Sequence, residues 1–423
     1  MVACHQVAIA VGVVGPEKNH FLEVYGMPEL TDAFLIGSLS KSVTALAVML
    51  LVEDSVLALD APASKWIPGI PDAVTIEHLL HQVSGLERDD GADAWTDLDA
   101  TIEEQVASAS FELPAQEYAY ANLNYELLGA IVERASGKSY GAFVQERIFE
   151  PMKMSNSTAT STRPAERAAG YQFVYGFPQP FGEPPYRASS VSAGFVWMSP
   201  EDMARWIRLF VTGGKIDGVQ VFPPAVMKAL LEGPSTNYAK GWVFTTAHAP
   251  LEVALHDGLT AAFSSAMAVV PEREFGIFVL TNVNSWLAMA PMNVLRGLLG
   301  SILGGPTVSV TNLEFIGRLV FGLIVALVFL TFLFELVRWI RSGFSVRLYR
   351  KQLISALLIT GINIAVVAAV VFSFGTNLVS LVKTQPDLGY GFILLIVLGT
   401  IRGFLTAFNK SAIRAALDAE TES

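Results

Sequence analysis

LIGSLSKSVTALAVMLLVEDSVLAL, residues Leu35 to Leu59, places Ser38 and Lys41 three residues apart where a helix begins. Beyond them Val43, Leu46, Ala47, Leu50 and Leu51 recur at i, i+3, i+4, i+7 and i+8, the pattern of a helix buried on one face. Residues three apart share a side of a helix, so the two side chains project together from the first turn. There the unpaired N–H groups and the positive end of the helix dipole favour developing negative charge. A serine hydroxyl attacks well only when a neighbour takes its proton, and a lysine does this only where its surroundings lower its pKa. The apolar residues after the pair offer such surroundings. Taken alone, the tetrad reads more simply as an N-cap serine beside a solvated lysine.

The remainder of the chain decides which reading holds. It has 423 residues, 52% of them hydrophobic, and a mean hydropathy of +0.46, too apolar for an ordinary soluble protein of this size. The excess collects after about Leu313, and the part before it is a normal globular mixture, long enough for one large domain or two intimately joined ones. A formal net charge of -11 with no basic stripe in the globular part argues against a nucleic-acid partner. The single cysteine, Cys4, excludes an internal disulfide and a cysteine metal site. His78 and His81 are three apart, but no acidic or histidine cluster completes a metal site, so a structural role is expected.

Val7 to Val14 and Phe21 to Tyr25 read as a β-hairpin. The Ser38 helix follows and ends near Asp54. Leu57 to Asp72 is rich in proline and turn formers, the mark of a surface excursion. Thr75 caps a short helix to Leu80, and an Asp- and Gly-rich loop from Arg88 to Asp99 leads to a helix over Ile102 to Ala109. In YAYANLNYELLGAIVERASG, Tyr118 to Gly137, an amphipathic helix from Tyr125 to Ala135 is closed by Gly137. Tyr120 and Asn122 lie in the loop that enters it and point the same way if that loop is extended. A helix over Tyr140 to Phe149 is followed by a loop-heavy aromatic section, Pro164 to Pro185, suited to roofing a cleft. Ser199 caps a helix to Thr212, with Pro200 at its first position. Four strands, Gly241 to Thr246, Val253 to His256, Ser264 to Val270 and Phe275 to Thr281, precede a helix from Pro291 to Leu303. Strands at both ends with helices between them imply an α+β fold whose antiparallel sheet joins the N- and C-terminal segments.

Three apolar stretches follow, Ile316 to Trp339, Leu353 to Leu381 and Tyr390 to Phe408, each about the twenty residues that a helix needs to span a bilayer. Arg318, Glu335 and Arg402 near their ends are placed to snorkel. Arg338, Arg341, Arg347, Arg350 and Lys351 fill the first connection and only Lys383 the second, which puts the first connection in the cytoplasm. The chain is thus organised as a globular domain over 1–304, a linker over 305–314, three transmembrane helices within 315–409 and a cytoplasmic tail over 410–423. The expected location is a multi-pass position in the cell membrane with the globular domain outside the cytoplasm. Such a domain needs an export signal. The start of the chain shows none, so a signal removed from the chain or a start further upstream is expected.

Three separated pieces, Ser38-x-x-Lys41, Tyr120-x-Asn122 and His256-Asp257-Gly258, stand in a consistent order at a helix start, a loop and a strand end. With GSLSK, TIEHLLHQVSGL, SPEDMARW and the FSS that follows HDG, they resemble the serine β-lactamase and penicillin-binding protein superfamily, nearest its class C, esterase and D-aminopeptidase-like branch. The resemblance runs from about Val7 to Leu303. It implies a β-lactamase/transpeptidase-like sheet flanked by helices, with Ser38 as the acylated nucleophile, Lys41 helping to deprotonate it and Tyr120 acting as general base and acid. Asn122 would hold the substrate amide, and His256 would stand where many relatives have the lysine of Lys-Thr-Gly. The backbone N–H groups of Ser38 and Leu259, the latter just after Gly258, would form the oxyanion hole. A lysine and a tyrosine side by side shift each other's pKa, because ammonium favours phenolate, and so would supply a base near neutral pH.

The expected activity is a membrane-anchored serine hydrolase forming an acyl-enzyme on a peptide, a D-amino-acid peptide or an ester. A β-lactamase ranks below these because fast deacylation demands a positioned water. Expected partners are a small peptide, ester or β-lactam-like substrate and the lipid bilayer, with the protein partner left open. Relatives have glycine where this chain has Leu259 and Ala262. These departures and the three-span anchor motivate a second reading, a catalytically silent membrane binding or regulatory protein on the same fold.

Overall fold

A computed structural model describes residues 7–89, 93–113, 117–175, 177–232, 238–248, 251–284, 290–304, 313–342, scattered positions between 354 and 382, and 386–407. The chain divides into two compact units, one over Met1–Gln172 and Pro178–Asn312 and the other over Phe173–Phe177 and Leu313–Ser423.

The first unit is built on a seven-stranded antiparallel sheet. Its strands are β1 (Ile9–Val14), β2 (Asn19–Tyr25), β3 (Tyr238–Ala239), β4 (Trp242–His248), β5 (Leu251–Leu259), β6 (Ser264–Val270) and β7 (Phe275–Thr281), in the order β3-β4-β5-β6-β7-β1-β2. β1 pairs with β7 from Ile9↔Thr281 to Val14↔Gly276, so the two ends of the domain close on each other as the sequence predicts. β6 and β7 are buried at every position, including the hydroxyl residues Ser264, Ser265 and Thr281. One face of the sheet, through Met267, Val269 and Phe278, joins the main core. The other, through Val253, Ala266, Ile277 and Val279, packs on Met292, Leu295 and Leu299.

The helices used below are α1 (Ser40–Glu53), α2 (Asn122–Ser136), α3 (Val191–Gly194), α4 (Pro200–Val211), α5 (Ala290–Leu303), α6 (Leu313–Ser342) and α7 (Pro386–Ala407). α1 departs from the one-face expectation, because every residue from Ser40 to Leu51 is buried. Its polar residues are consumed by tertiary hydrogen bonds. Ser40 Oγ donates to Gly37 O at 2.7 Å and accepts from Val196 N, Trp206 Nε1 donates to Ser42 Oγ, and Thr44 Oγ1 donates to Ser192 O at 2.6 Å. Satisfied in this way, hydroxyls that would be costly in a core become fixed struts around a central helix.

A second departure is Leu57 to Asp72, where Leu57, Ala63, Ile67 and Ile70 join the core while Ala58, Asp60, Lys65 and Pro68 stay exposed. Turn chemistry set the backbone there without setting its burial. The Thr75 cap is confirmed, with His78 Nδ1 returning to Thr75 N in a reciprocal capping box, a structural role for that histidine. Among the described residues no group of metal-ligating side chains forms. α2 starts at Asn122 rather than Tyr125, and the segment Pro164 to Pro185 holds a small hairpin, Tyr171–Val174 with Phe177–Pro180.

In the second unit, among the described residues, one helix is long and apolar enough to cross a membrane, the α6 segment Ile316–Arg341. The third apolar stretch forms α7. Leu353 to Leu381, Cys4 and the tail 410–423 lie wholly or largely outside the described residues. Arg318 does not snorkel. Its side chain is buried, with Nη1 2.6 Å from Asp387 Oδ1 and 2.8 Å from Phe173 O, and Asp387 Oδ2 accepts from Tyr175 N. Arg318 lies in the second turn of α6 and Asp387 at the start of α7, while Phe321 meets Phe392 further along at 5.0 Å, so the two helices run parallel.

Candidate active site

Ser38 sits in a short 3-10 turn, Gly37–Leu39, that leads straight into α1. Gly37 has φ +57°, and a Cβ there would fall 2.4 Å from Leu259 N, so only glycine lets this turn lie against the end of β5. Lys41 follows one turn later and is fully buried. Its Nζ is 3.0 Å from Ser38 Oγ, 2.7 Å from Asn122 Oδ1 and 2.6 Å from Ala193 O. Burial pulls its pKa down to about 7, and the negative charges of Asp89, Glu126 and Asp257 limit the fall.

Tyr120 reaches the same oxygen from the opposite side and donates to Ser38 Oγ at 2.7 Å. The residue between Tyr120 and Asn122, Ala121, is extended at φ −133° and ψ 126°, which turns both side chains to the cleft as the alternate spacing predicts. The protonation state differs from expectation. Burial drives the Tyr120 pKa well above its ordinary value, so this side chain stays a phenol, and the group poised near neutral pH is Lys41. Desolvation of the phenolate outweighs what a cation 4.8 Å from the ring supplies.

Asn122 is committed at both ends. Oδ1 accepts from Lys41, and Nδ2 donates to Asp89 Oδ1 at 2.8 Å. That arrangement fixes which way the amide points. Asp89 itself lies in the loop read as a mere connector, and Ala193 contributes only its carbonyl. Neither carries a side-chain pattern that spacing could reveal.

β5 forms the facing wall. Among the described residues β4 pairs with it only as far as Val243↔Leu255, and no strand pairs with the edge from His256 to Leu259. On the other side Leu259 faces Ser264, one step from the Thr260 N to Phe263 O bond that closes the turn. Alternation in an antiparallel ladder therefore aims the Leu259 N–H away from β6, toward the open edge beside Gly37. The Ser38 N–H belongs to a first helical turn with no intrahelical acceptor. The two N–H groups thus border one spot next to Ser38 Oγ, and Leu259, 37% exposed, lines the mouth.

His256 is buried, and burial lowers its pKa, so it is neutral. Nδ1 lies 2.6 Å from Asp257 O, an acceptor only, so Nδ1 holds the proton and Nε2 is a bare acceptor. The ring lies 6.2 Å from Tyr120 and 5.8 Å from Tyr238. It lies beside Tyr120 and brings no positive charge.

Residues 2–321 match the family model described as Beta-lactamase. Among curated proteins, Protein flp of Staphylococcus aureus (strain MW2) is 29% identical over 281 residues, 60% of this chain and 54% of that protein. Penicillin-binding protein 4* of Bacillus subtilis (strain 168) is 33% identical over 171 residues, 36% of this chain and 38% of that one. The chain spans about half the length of the Protein flp relatives it matches. Of solved structures, the octameric penicillin-binding protein homologue from Pyrococcus abyssi superposes with a TM-score of 0.59 at 24% identity, over 70% of this chain and 74% of that one. The D-amino acid amidase from Ochrobactrum anthropi SV3 does so with a TM-score of 0.56 at 22% identity, over 66% of this chain and 87% of that one. At these identities the structural likeness is one of fold.

Proposed function

The chain belongs to the Beta-lactamase family, and from that premise we propose that it is a serine hydrolase working through an acyl-enzyme at Ser38 on amides or esters of short peptides, D-amino-acid peptides included. The observation that carries this reading is the pair of hydrogen bonds that Lys41 Nζ and Tyr120 Oη both make to Ser38 Oγ. Neutral Lys41 takes the Ser38 proton as Oγ bonds to the substrate carbonyl carbon, and the Ser38 and Leu259 N–H groups receive the charge on the carbonyl oxygen. As the intermediate collapses, Tyr120 gives its proton to the leaving nitrogen or oxygen. The resulting ammonium and phenolate recombine by one proton transfer, and water later releases the acyl group.

Substrate backbone fits along the open edge of β5 as an added strand. The neutral His256 brings no positive charge to this wall, which favours amides and esters over ligands held through their own carboxylate. The solved D-amino acid amidase with the same fold supports that substrate class.

Hydrolysis of D-alanine amides and p-nitrophenyl esters tests this. The rate should rise about tenfold per pH unit below about 7 and then level, because ammonium has no lone pair to accept the Ser38 proton. Activity that survives Ser38→Ala would sink the proposal. Hydrolysis undetectable with every ester and amide would favour the silent binding protein instead.

We also propose that the second unit anchors the chain as a multi-pass membrane segment with the hydrolase domain outside the cytoplasm. α6 is about 45 Å long at 1.5 Å per residue over its 30 residues. A chain that leaves it at one end and starts the parallel α7 at the other must return over that length, as a third crossing does. Alkaline carbonate extraction should leave the full chain in the membrane pellet, and release into the supernatant would overturn the anchor.

A further inference from the structure

The turn that follows Leu259 is closed by a carboxyl group from a different part of the chain. Glu183 is fully buried, and its two oxygens share four donors evenly. Oε2 accepts from Thr260 Oγ1 at 3.1 Å and Ala262 N at 2.9 Å; Oε1 accepts from Ala261 N and Trp95 Nε1, both at 3.3 Å. Other contacts complete the turn. Thr260 Oγ1 accepts from Phe263 N at 3.1 Å, Gln172 Nε2 donates to Ala261 O at 2.6 Å, and Asn284 Nδ2 donates to Thr260 O.

We propose that Glu183 is a positioning residue, whose carboxylate locks the Thr260–Phe263 turn and so holds the preceding Leu259 N–H on the carbonyl oxygen of a substrate bound at Ser38. The inference rests on the serine hydrolase reading above. Geometry supports it, because Leu259 is the last residue of β5 and the Thr260 N to Phe263 O bond that orients its N–H lies inside the turn that Glu183 grips. The same carboxylate ties this turn to Trp95, whose ring meets Phe195 edge-on at 5.4 Å just past α3, the helix that gives Ala193 O to Lys41. Glu183 therefore joins the oxyanion wall to the lysine wall of one cleft. Burial raises its pKa to about 7 against the pull of its four donors, the mark of a carboxyl kept inside for its contacts. The Arg163 guanidinium donates to the Glu183 carbonyl, and Tyr186 lies nearby.

The test compares the full chain with Glu183→Gln in detergent at about pH 8, above the Glu183 value. An amide in place of either oxygen sets an NH2 against two donors, at unchanged volume. Amide hydrogen exchange in the peptide covering Leu259 to Phe263 should quicken at least about tenfold, and kcat for a p-nitrophenyl ester should fall about tenfold with KM within about twofold, since an oxyanion donor acts in the transition state. Exchange unchanged, or quickened exchange with kcat unchanged, would overturn the proposal. A wild-type chain that hydrolyses no ester would instead refute the hydrolase reading. The exchange comparison then still decides whether Glu183 holds the turn. Should Glu183→Gln fail to fold, Trp95→Phe, which removes one of the four donors and leaves the hydrogen bonds within the turn in place, takes the same two readouts with the same expected and contrary results.

Discussion

Lys41→Ala should lower the rate of Ser38 acylation by about 10²- to 10⁴-fold, the usual range for a positioned proton acceptor. The expectation comes from one side chain holding the site together. Lys41 Nζ touches Ser38 Oγ, Asn122 Oδ1 and Ala193 O within 3.0 Å and has a pKa of about 7, so near neutral pH a large fraction is free amine at hydrogen-bond distance from the hydroxyl. Tyr120 cannot replace it, because its phenol keeps its proton well above neutral pH. Arginine should not rescue the variant either, since a guanidinium stays charged and has no lone pair to offer. Time courses of fluorophosphonate labelling give the rate constants. A Lys41→Ala rate within about threefold of wild type would contradict Lys41 as the base.

Arg187→Leu should cost about 3–5 kcal/mol of stability, the usual result of removing one partner of a buried ion pair. Arg187 and Glu126 have 3% and 2% of their side chains exposed, with Nη2 3.0 Å from Oε2. Ser190 Oγ also donates to Glu126 at 2.7 Å, but a hydroxyl does not neutralise a carboxylate. The pair secures Ala188 to Gly194, and the Ala193 carbonyl that seats Lys41 lies at the end of that stretch. Denaturant unfolding of the full chain should show the loss, and acylation should slow with it. A variant as stable as wild type would mean that the carboxylate finds its compensation elsewhere.

What the sequence disclosed and what it concealed follow from the range of the signals. Ser38 and Lys41 were legible because one helical turn fixes their relation, and Tyr120 and Asn122 because extended backbone aligns alternate residues. The sheet was legible because Ala266 to Val270 and Phe275 to Leu280 are short runs without charged residues, bounded by turn formers. Long-range partners were not. Ala193 acts through a carbonyl that every residue has, while Asp89 and Glu183 lie in loops whose Asp, Gly and Pro content describes turns and hides contacts. Burial was hidden too, because Ser40 and Thr44 look solvent-facing on a helix wheel until Gly37 O and Ser192 O appear across from them. The same blindness hid the burial of Tyr120 and Arg318. An ammonium beside a phenol predicts phenolate only if water reaches the site, and an arginine near a helix end snorkels only when no buried Asp387 awaits it.

The most direct measurement is the mass of the intact full chain after fluorophosphonate treatment, followed by mapping of the modified peptide. The account predicts one adduct per chain, on Ser38, absent from Ser38→Ala and slow to form in Lys41→Ala. An unmodified chain, or an adduct on any other residue, would contradict it.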